Sequence, residues 1–135
     1  LGQPRPETVG QFARTIFESL ALAYRQVISD LAMITAGPRA ETLHVVGGGS
    51  RNKLLCQYTA DAAGIPVIAG PVEATAIGNV LLQAMALGRI SGSEELRDIV
   101  RRSFELKIYE PAGEGWQEAA ERLHQAIKKQ RLAVT

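Results

Sequence analysis

From residue 9 onward, apolar residues recur every three or four positions, the spacing of one face of an α-helix. Thr8 and Gln11 match a capping box, in which each side chain bonds the backbone N–H of the other residue. Gly37-Pro38 ends the pattern. The sequence therefore predicts a helix over residues 9–36, which is longer than the usual globular helix.

The middle of the chain has a different period. Residues 43–46 and 65–69 are short β-rich runs, each followed by glycine and then by helical spacing over 51–63 and 73–87. This order predicts a βαβα unit with parallel strands. Two parallel strands are too few for an independent sheet, and parallel sheets are usually covered on both faces. We therefore expect further strands upstream of Leu1, in a longer protein of which this chain is a piece.

The last third predicts a helix over 94–102 capped by Ser93, an edge strand within 104–109 and a closing helix over 116–132. Three of the predicted helices have one apolar face that we expect to pack inward. These faces consist of Leu54, Leu55, Tyr58 and Ala62; of Ile77, Val80, Leu81, Ala84 and Met85; and of Trp116, Ala119, Ala120, Leu123 and Ile127.

Composition narrows the possible classes. The 135 residues are 46% hydrophobic and 21% charged, with a formal net charge of +1, which argues against a nucleic-acid module and against disorder. No apolar run is long enough for a membrane span, and the polar, Pro-rich start does not match a signal peptide. One cysteine and two distant histidines build neither an internal disulfide nor a zinc pattern. We expect a cytoplasmic protein.

The strongest local signal is Val45-Val46-Gly47-Gly48-Gly49-Ser50-Arg51-Asn52, between a strand and a helix. Glycines let a ligand approach the backbone, and a helix N-terminus favours an anion such as phosphate. The run fits neither G-x-G-x-x-G, because its last position is Asn52, nor the P-loop, because Asn52 and Leu54 break that pattern. The alternative is a tight turn that needs positive φ.

The residues around the glycines allow two interpretations each. Asn52 suits an adenine edge or a ribose hydroxyl, or it caps the helix locally. Ser50 is expected to be the helix N-cap. Glu73 could bind ribose as in a dinucleotide fold, but a first-turn Glu favoured by the helix dipole is the simpler interpretation. Cys56 is expected to be packed and inert, and no nucleophile–base set is visible, so we expect no catalytic residue and no metal ligand.

Two longer segments make a family resemblance specific. Residues 43–57, LHVVGGGSRNKLLCQ, resemble the adenosine-binding segment of the FGGY carbohydrate kinases. Residues 60–79, ADAAGIPVIAGPVEATAIGN, resemble one branch of that family, the rhamnulokinases. Residues 3–25 and 109–111 are similar to the same branch, so the resemblance extends from residue 1 to about residue 111.

The resemblance implies a fold and a reaction. The fold would be α/β: residues 1–135 would be the C-terminal portion of the second, nucleotide-binding domain, a fragment of an actin-like ATPase (ribonuclease H-like) domain. The full enzyme would transfer the γ-phosphoryl of Mg²⁺-ATP to the 1-hydroxyl of L-rhamnulose, leaving ADP. Gly48 and Gly49 would pack on the ribose and phosphates, and Asn52 would contact the adenosine. The general base and the sugar-binding residues would lie upstream, so this chain alone would be inactive.

Other interpretations stay open at this point. The sugar could be L-fuculose or xylulose, since such kinases would have nearly the same loop. The chain could instead be a Rossmann-type dinucleotide-binding fragment or a non-catalytic interaction module. We expect no nucleic-acid or membrane partner. We also expect the edge of the strand at 43–46 to pair with another chain, including a second copy, or to be sheltered by the long helix.

Overall fold

A computed structural model of the protein describes residues 4–35, 37–38 and 40–133, with side chains up to residue 129. The first residues of the predicted leader and residue 36, the predicted helix end, lie outside the described residues. The elements follow in the order α1 (Val9–Thr35), β1 (Leu43–Val45), a 3₁₀ turn (Gly48–Arg51), α2 (Lys53–Ala63), β2 (Val67–Ala69), α3 (Ala74–Ala86), α4 (Ser93–Ser103), β3 (Lys107–Tyr109) and α5 (Trp116–Ala133). No helix in this part of the chain combines the length and hydropathy of a membrane span.

The kind and order of the predicted elements are confirmed, but the strands are shorter than predicted. Each strand has three residues, because only those residues pair in a ladder. Pro66 shows the reason, since it has no N–H to donate and β2 begins after it at Val67. The Pro66 carbonyl still accepts a hydrogen bond from the Leu43 N–H at 2.9 Å.

The three strands form a sheet in the order β1-β2-β3. β1 and β2 are parallel, with Leu43 opposite Val67, which confirms the predicted parallel pair. β3 is antiparallel to β2, with Tyr109 opposite Val67, so the predicted edge strand is confirmed. β2 is therefore the central strand, and β1 and β3 are the two edges.

The core lies between the sheet and α2. It consists of Cys56, Ala60, Val67 and Ala69, with Leu43, Val45 and Tyr109 packed against it. The buried face of α2 differs from the predicted one: Ala62 is buried as expected, but Leu54 is exposed. The buried residues are Cys56, Thr59, Ala60, Ala62 and Ala63. Their small side chains let α2 lie close to its neighbours, a requirement that hydrophobicity alone does not indicate.

α1 packs along α2. The predicted capping box is present, because Gln11 N–H donates to Thr8 Oγ1 at 3.3 Å and Thr8 N–H donates to Gln11 Oε1 at 3.1 Å. Ala21 is fully buried in the contact with α2. Arg25 donates to the Ala62 carbonyl at 2.7 Å and also to Gln117 Oε1 of α5. This guanidinium satisfies a carbonyl at the C-terminus of α2, where cations are favourable.

The segment after β3 is fastened to α2 by polar contacts. Asp61 Oδ1 accepts hydrogen bonds from Gln57 Nε2 at 2.8 Å and from the Ala112 N–H at 2.9 Å. Gly113 lies so close that a Cβ there would be 2.7 Å from Asp61 Oδ2. The Trp116 ring packs on Tyr58 with centroids 5.3 Å apart. These contacts position α5 beside α1 and α2.

Three predictions about packing and capping are wrong. α3 has no buried residue, and Val80, predicted to face inward, is 65% exposed, because no described element covers that side of α3. Ile127 of α5 is also exposed. Ser93 does not cap α4 through its side chain: the helix begins at Ser93, and Gly92 is the N-cap.

We expect Val67→Ala to destabilise the chain by about 1–3 kcal/mol, because it removes two methyl groups from a fully buried site and leaves a cavity. Ile108→Ala is the matched control, since Ile108 is 63% exposed on the neighbouring strand and should change the free energy of unfolding by less than about 0.5 kcal/mol. Urea unfolding measures both. Equal effects would contradict the position of the core.

Candidate functional site

The carboxyl ends of β1 and β2 meet at one edge of the sheet, because the two strands are parallel. Open α/β sheets bind ligands at this edge. Two backbone hydrogen bonds fasten the loops that leave it. The Gly70 N–H donates to the Val45 carbonyl at 2.8 Å, and the Gly47 N–H donates to the Pro71 carbonyl at 3.2 Å. The glycine loop is therefore held against the loop after β2.

The three glycines do not have the same role in the backbone. Gly47 alone has a positive φ, of 75°, so the tight-turn interpretation holds for that residue. Gly48 and Gly49 are exposed in the 3₁₀ turn without a positive φ. A Cβ on Gly48 would meet no atom within 4 Å, and one on Gly49 would make an ordinary contact with Val45 Cγ1 at 3.9 Å. The fold itself therefore does not require glycine at these two positions.

Several backbone N–H groups are free at this opening. The 3₁₀ turn uses the N–H groups of Ser50 and Asn52, which donate to the carbonyls of Gly47 and Gly49 at 3.1 Å each. Within the described chain no acceptor is recorded for the N–H groups of Gly48, Gly49, Lys53 and Leu54. Free N–H groups at a helix N-terminus, with the positive end of the helix dipole, favour an anionic ligand.

Asn52, and not Ser50, caps α2. Asn52 Oδ1 accepts a hydrogen bond from the Leu55 N–H at 3.0 Å. Ser50 is buried, 8% exposed, and its hydroxyl donates to the Gly47 carbonyl at 2.6 Å, so the prediction that Ser50 is the N-cap is wrong. The reason is that the 3₁₀ turn delays the start of α2 to Lys53. The cap uses only the oxygen of Asn52, and no hydrogen bond in the described part of the chain uses its Nδ2.

The surroundings of the turn are mainly cationic. Arg51 and Lys53 are exposed on either side of Asn52. A cavity of about 210 Å³ adjoins the turn and the ends of β2 and β3, and its lining includes Arg51, Lys53, Lys107 and Glu105. Analysis of the sequence missed Lys107, because the antiparallel pairing of β3 with β2 brings it here from a distant part of the chain.

The other candidate residues do not assemble a catalytic group. Glu73 is exposed at the start of α3 and its side chain makes no cap hydrogen bond there. Cys56 is fully buried, as expected, and desolvation by burial raises the pKa of its thiol, which keeps it protonated. His44 is exposed on β1. The described residues contain no group of three or more His, Cys, Asp or Glu that could hold a metal ion.

Comparison with known proteins gives consistent matches. Residues 1–87 match the family described as "FGGY family of carbohydrate kinases, C-terminal domain". A rhamnulokinase from Bacteroides thetaiotaomicron is 58% identical over 110 residues, which are 82% of this chain and 22% of that protein. A rhamnulokinase from Klebsiella pneumoniae is 46% identical over 110 residues, with the same coverage. The chain thus spans about a fifth of the length of these curated relatives.

A solved structure has the same fold. The crystal structure of xylulose kinase from Rhodospirillum rubrum superposes with a TM-score of 0.64 at 22% sequence identity. The match covers 99% of this chain and 26% of that one. The expected α/β class is confirmed by this likeness together with the family match.

We expect Asn52→Ala to destabilise the chain by about 0.5–2 kcal/mol, because it removes the acceptor that caps α2. Asn52→Ser is the matched variant: serine is a comparable N-cap, so it should retain most of the stability while removing Nδ2. Thermal unfolding measures both. A serine variant as unstable as the alanine variant would contradict the capping role.

Proposed function

Because the chain belongs to the FGGY family of carbohydrate kinases, we propose that it is part of an ATP-dependent sugar kinase and forms one wall of its nucleotide site. Residues 1–135 would be the C-terminal portion of the second domain, whose remaining strands precede them. The wall would consist of Gly48, Gly49 and Asn52, at the carboxyl edge of β1 and β2.

The observation that best supports this proposal is that neither Gly48 nor Gly49 is required by the backbone or by packing. A glycine loses more conformational freedom on folding than alanine, so a glycine that the fold does not need is costly. Its compensation here would be access: with no Cβ, a ribose and its phosphates can lie directly on the backbone and accept from the free N–H groups.

Asn52 would have two roles at once. Its oxygen caps α2 and so holds the side chain in one orientation. Its Nδ2 would then donate to an acceptor on the adenosine. An asparagine amide can donate and accept simultaneously, and a fixed donor binds with a smaller loss of side-chain entropy. Arg51, Lys53 and Lys107 would add a favourable potential for the anionic nucleotide.

The described residues supply binding and no chemistry of their own. In the reaction, a sugar hydroxyl oxygen would bond to the γ-phosphorus, the bond from that phosphorus to the β–γ bridging oxygen would break, and ADP would leave. The hydroxyl proton would go to a general base in the upstream part of the protein. The described residues do not fit a metal site, so Mg²⁺ would come with the nucleotide phosphates, as it commonly does. Phosphoryl transfer needs several positioned groups together, and one wall cannot supply them.

For the sugar, we propose L-rhamnulose, phosphorylated at its 1-hydroxyl. The support is that the relatives at 58% and 46% identity are named rhamnulokinase. L-Fuculose and xylulose stay alternatives, and the likeness to a xylulose kinase at 22% identity concerns the fold alone. Family membership replaces the dinucleotide-binding and interaction-module alternatives. We place the reaction in the cytoplasm, where ATP is abundant.

We expect Gly48→Asp to abolish Mg²⁺-ADP binding by the complete nucleotide site, measured by calorimetry on the longer protein. The new carboxylate would occupy and repel the phosphate-binding opening, while the backbone at this position accepts a side chain without strain. Asn52→Ser should weaken binding about tenfold, since one good hydrogen bond is lost.

Gly92→Asp is the matched control for Gly48→Asp. It adds the same charge at a glycine with open space around it, in an extended backbone at the start of α4. Aspartate is a favourable N-cap, so this variant should bind ADP normally and unfold at the same temperature or higher. Unchanged ADP affinity in Gly48→Asp would contradict the assignment of the wall.

We expect the 135-residue chain by itself to show no phosphorylation of L-rhamnulose, whereas the longer protein should release ADP with L-rhamnulose faster than with L-fuculose or xylulose. A coupled assay of ADP release compares the three sugars. Activity in the isolated chain would contradict the proposed division of roles. A preference for another ketose would replace the proposed substrate and leave the nucleotide wall in place.

A further inference from the structure

The chain exposes far more surface than a compact protein of its size. Its accessible surface is 10055 Å². A compact monomer of 14.5 kDa would expose about 6,900 Å². The excess of roughly 3,000 Å² is several times the roughly 800 Å² that each partner buries in a standard protein–protein interface. The amount indicates a missing body of protein and not a short peptide.

Much of the exposed apolar surface lies on one face of α1. Residues three or four positions apart form a continuous stripe along the helix, and all are exposed. We call this set the α1 stripe; its members are Val9, Phe12, Ile16, Leu20, Tyr24, Val27, Leu31 and Ile34. The stripe lies roughly a third of a turn round the helix from Ala21, which packs on α2. Contiguous exposed apolar patches of this extent mark interaction sites.

The open edge of β1 adjoins the α1 stripe. In a parallel ladder, alternate residues direct their N–H and C=O groups to opposite sides. Leu43 and Val45 bond toward β2, through the 2.9 Å bond to the Pro66 carbonyl and the 2.8 Å bond from Gly70. The N–H and C=O of His44 therefore face the outer edge, where the described chain offers no strand to pair with them.

An apolar groove joins the two features. It has a volume of about 350 Å³, and its lining includes Tyr24, Val27 and Leu31 of the α1 stripe and Leu43 and Val46 at β1. α1 also lies beside α2. α2 is the crossover helix between β1 and β2, and right-handed crossovers that proceed in one direction place their helices on one face of a sheet. α1 is thus where the crossover helix of a preceding parallel strand would lie.

We propose that the groove and the outer edge of β1 are the docking site for a β-strand running parallel to β1, supplied by the upstream part of a sugar kinase chain. The identity of that partner rests on the proposed function. The relatives have nearly four-fifths of their length outside the matched segment, which is enough protein to cover 3,000 Å². The docked strand would bond to His44, and its apolar side chains would fill the groove beneath the α1 stripe.

A second copy of this chain fits the site less well. Two copies related by a two-fold axis would pair β1 with β1 in antiparallel orientation over three residues, and neither copy has a free strand parallel to β1. Such a contact would leave most of the α1 stripe exposed. The upstream chain is therefore the occupant that accounts for the whole surface.

The test is capture in trans. The 135-residue chain, tagged, is co-expressed with the part of the Bacteroides thetaiotaomicron rhamnulokinase that precedes its matched segment, and the captured complex is quantified. We expect a 1:1 complex. Val27→Glu should reduce capture at least tenfold by placing a charge in the groove, and His44→Pro should do so by removing the outward N–H. Neither residue contributes to the core, so both variants should keep the melting temperature of the isolated chain.

Met33→Glu is the matched control, because Met33 is an exposed apolar residue of α1 that lies off the stripe, and this variant should be captured normally. Absence of a complex, or equal loss in Met33→Glu and Val27→Glu, would overturn the proposal. So would a homodimer of the isolated chain in light scattering that Val27→Glu dissociates, which would assign the surface to a second copy. Gly48→Asp should leave capture unchanged, so a complex that forms but binds no ADP would contradict only the proposed function.

Discussion

The parallel pairing of β1 with β2 is the constraint on which the rest of the structure depends. Parallel neighbours need a crossover, and here the crossover is α2, whose small buried residues bring it close to the sheet and to α1. The same pairing brings two strand ends to one edge, where the glycine turn and the Gly70-Pro71 loop bond to each other. Without that pairing there would be neither a core nor an opening for a ligand.

The helix start at this edge combines stability with recognition. The 3₁₀ turn leaves backbone N–H groups free, and Asn52 closes it by capping α2 with its oxygen. An anion that accepted the free N–H groups would complete the hydrogen bonding of the helix N-terminus. The cap and the proposed ligand would therefore act on the same few atoms, so only a variant such as Asn52→Ser separates the two roles.

The exposed apolar surfaces have a common explanation in the incomplete sheet. The described core contains no fully buried side chain larger than Val67, whereas long apolar side chains stand in solvent on α1 and α3. Burial of large aliphatic and aromatic residues is the main favourable term in folding. Residues such as Phe12 and Leu87 therefore do not yet contribute that term, and a partner that covered them would stabilise both pieces.

The order and type of the elements followed from local signals alone: the capping box at Thr8 and Gln11, glycine at the helix ends, and β-rich runs after which the apolar period changes. The α/β class and the glycine turn were predictable for the same reason, since propensity and capping act within a few residues. Tertiary contacts decided the remainder. A strand ends where backbone partners end, Asn52 replaced Ser50 as the cap because the glycines folded into a 3₁₀ turn, and Lys107 reached the site through antiparallel pairing with a distant strand. Such choices depend on what lies opposite a residue in space, and no local pattern contains that information.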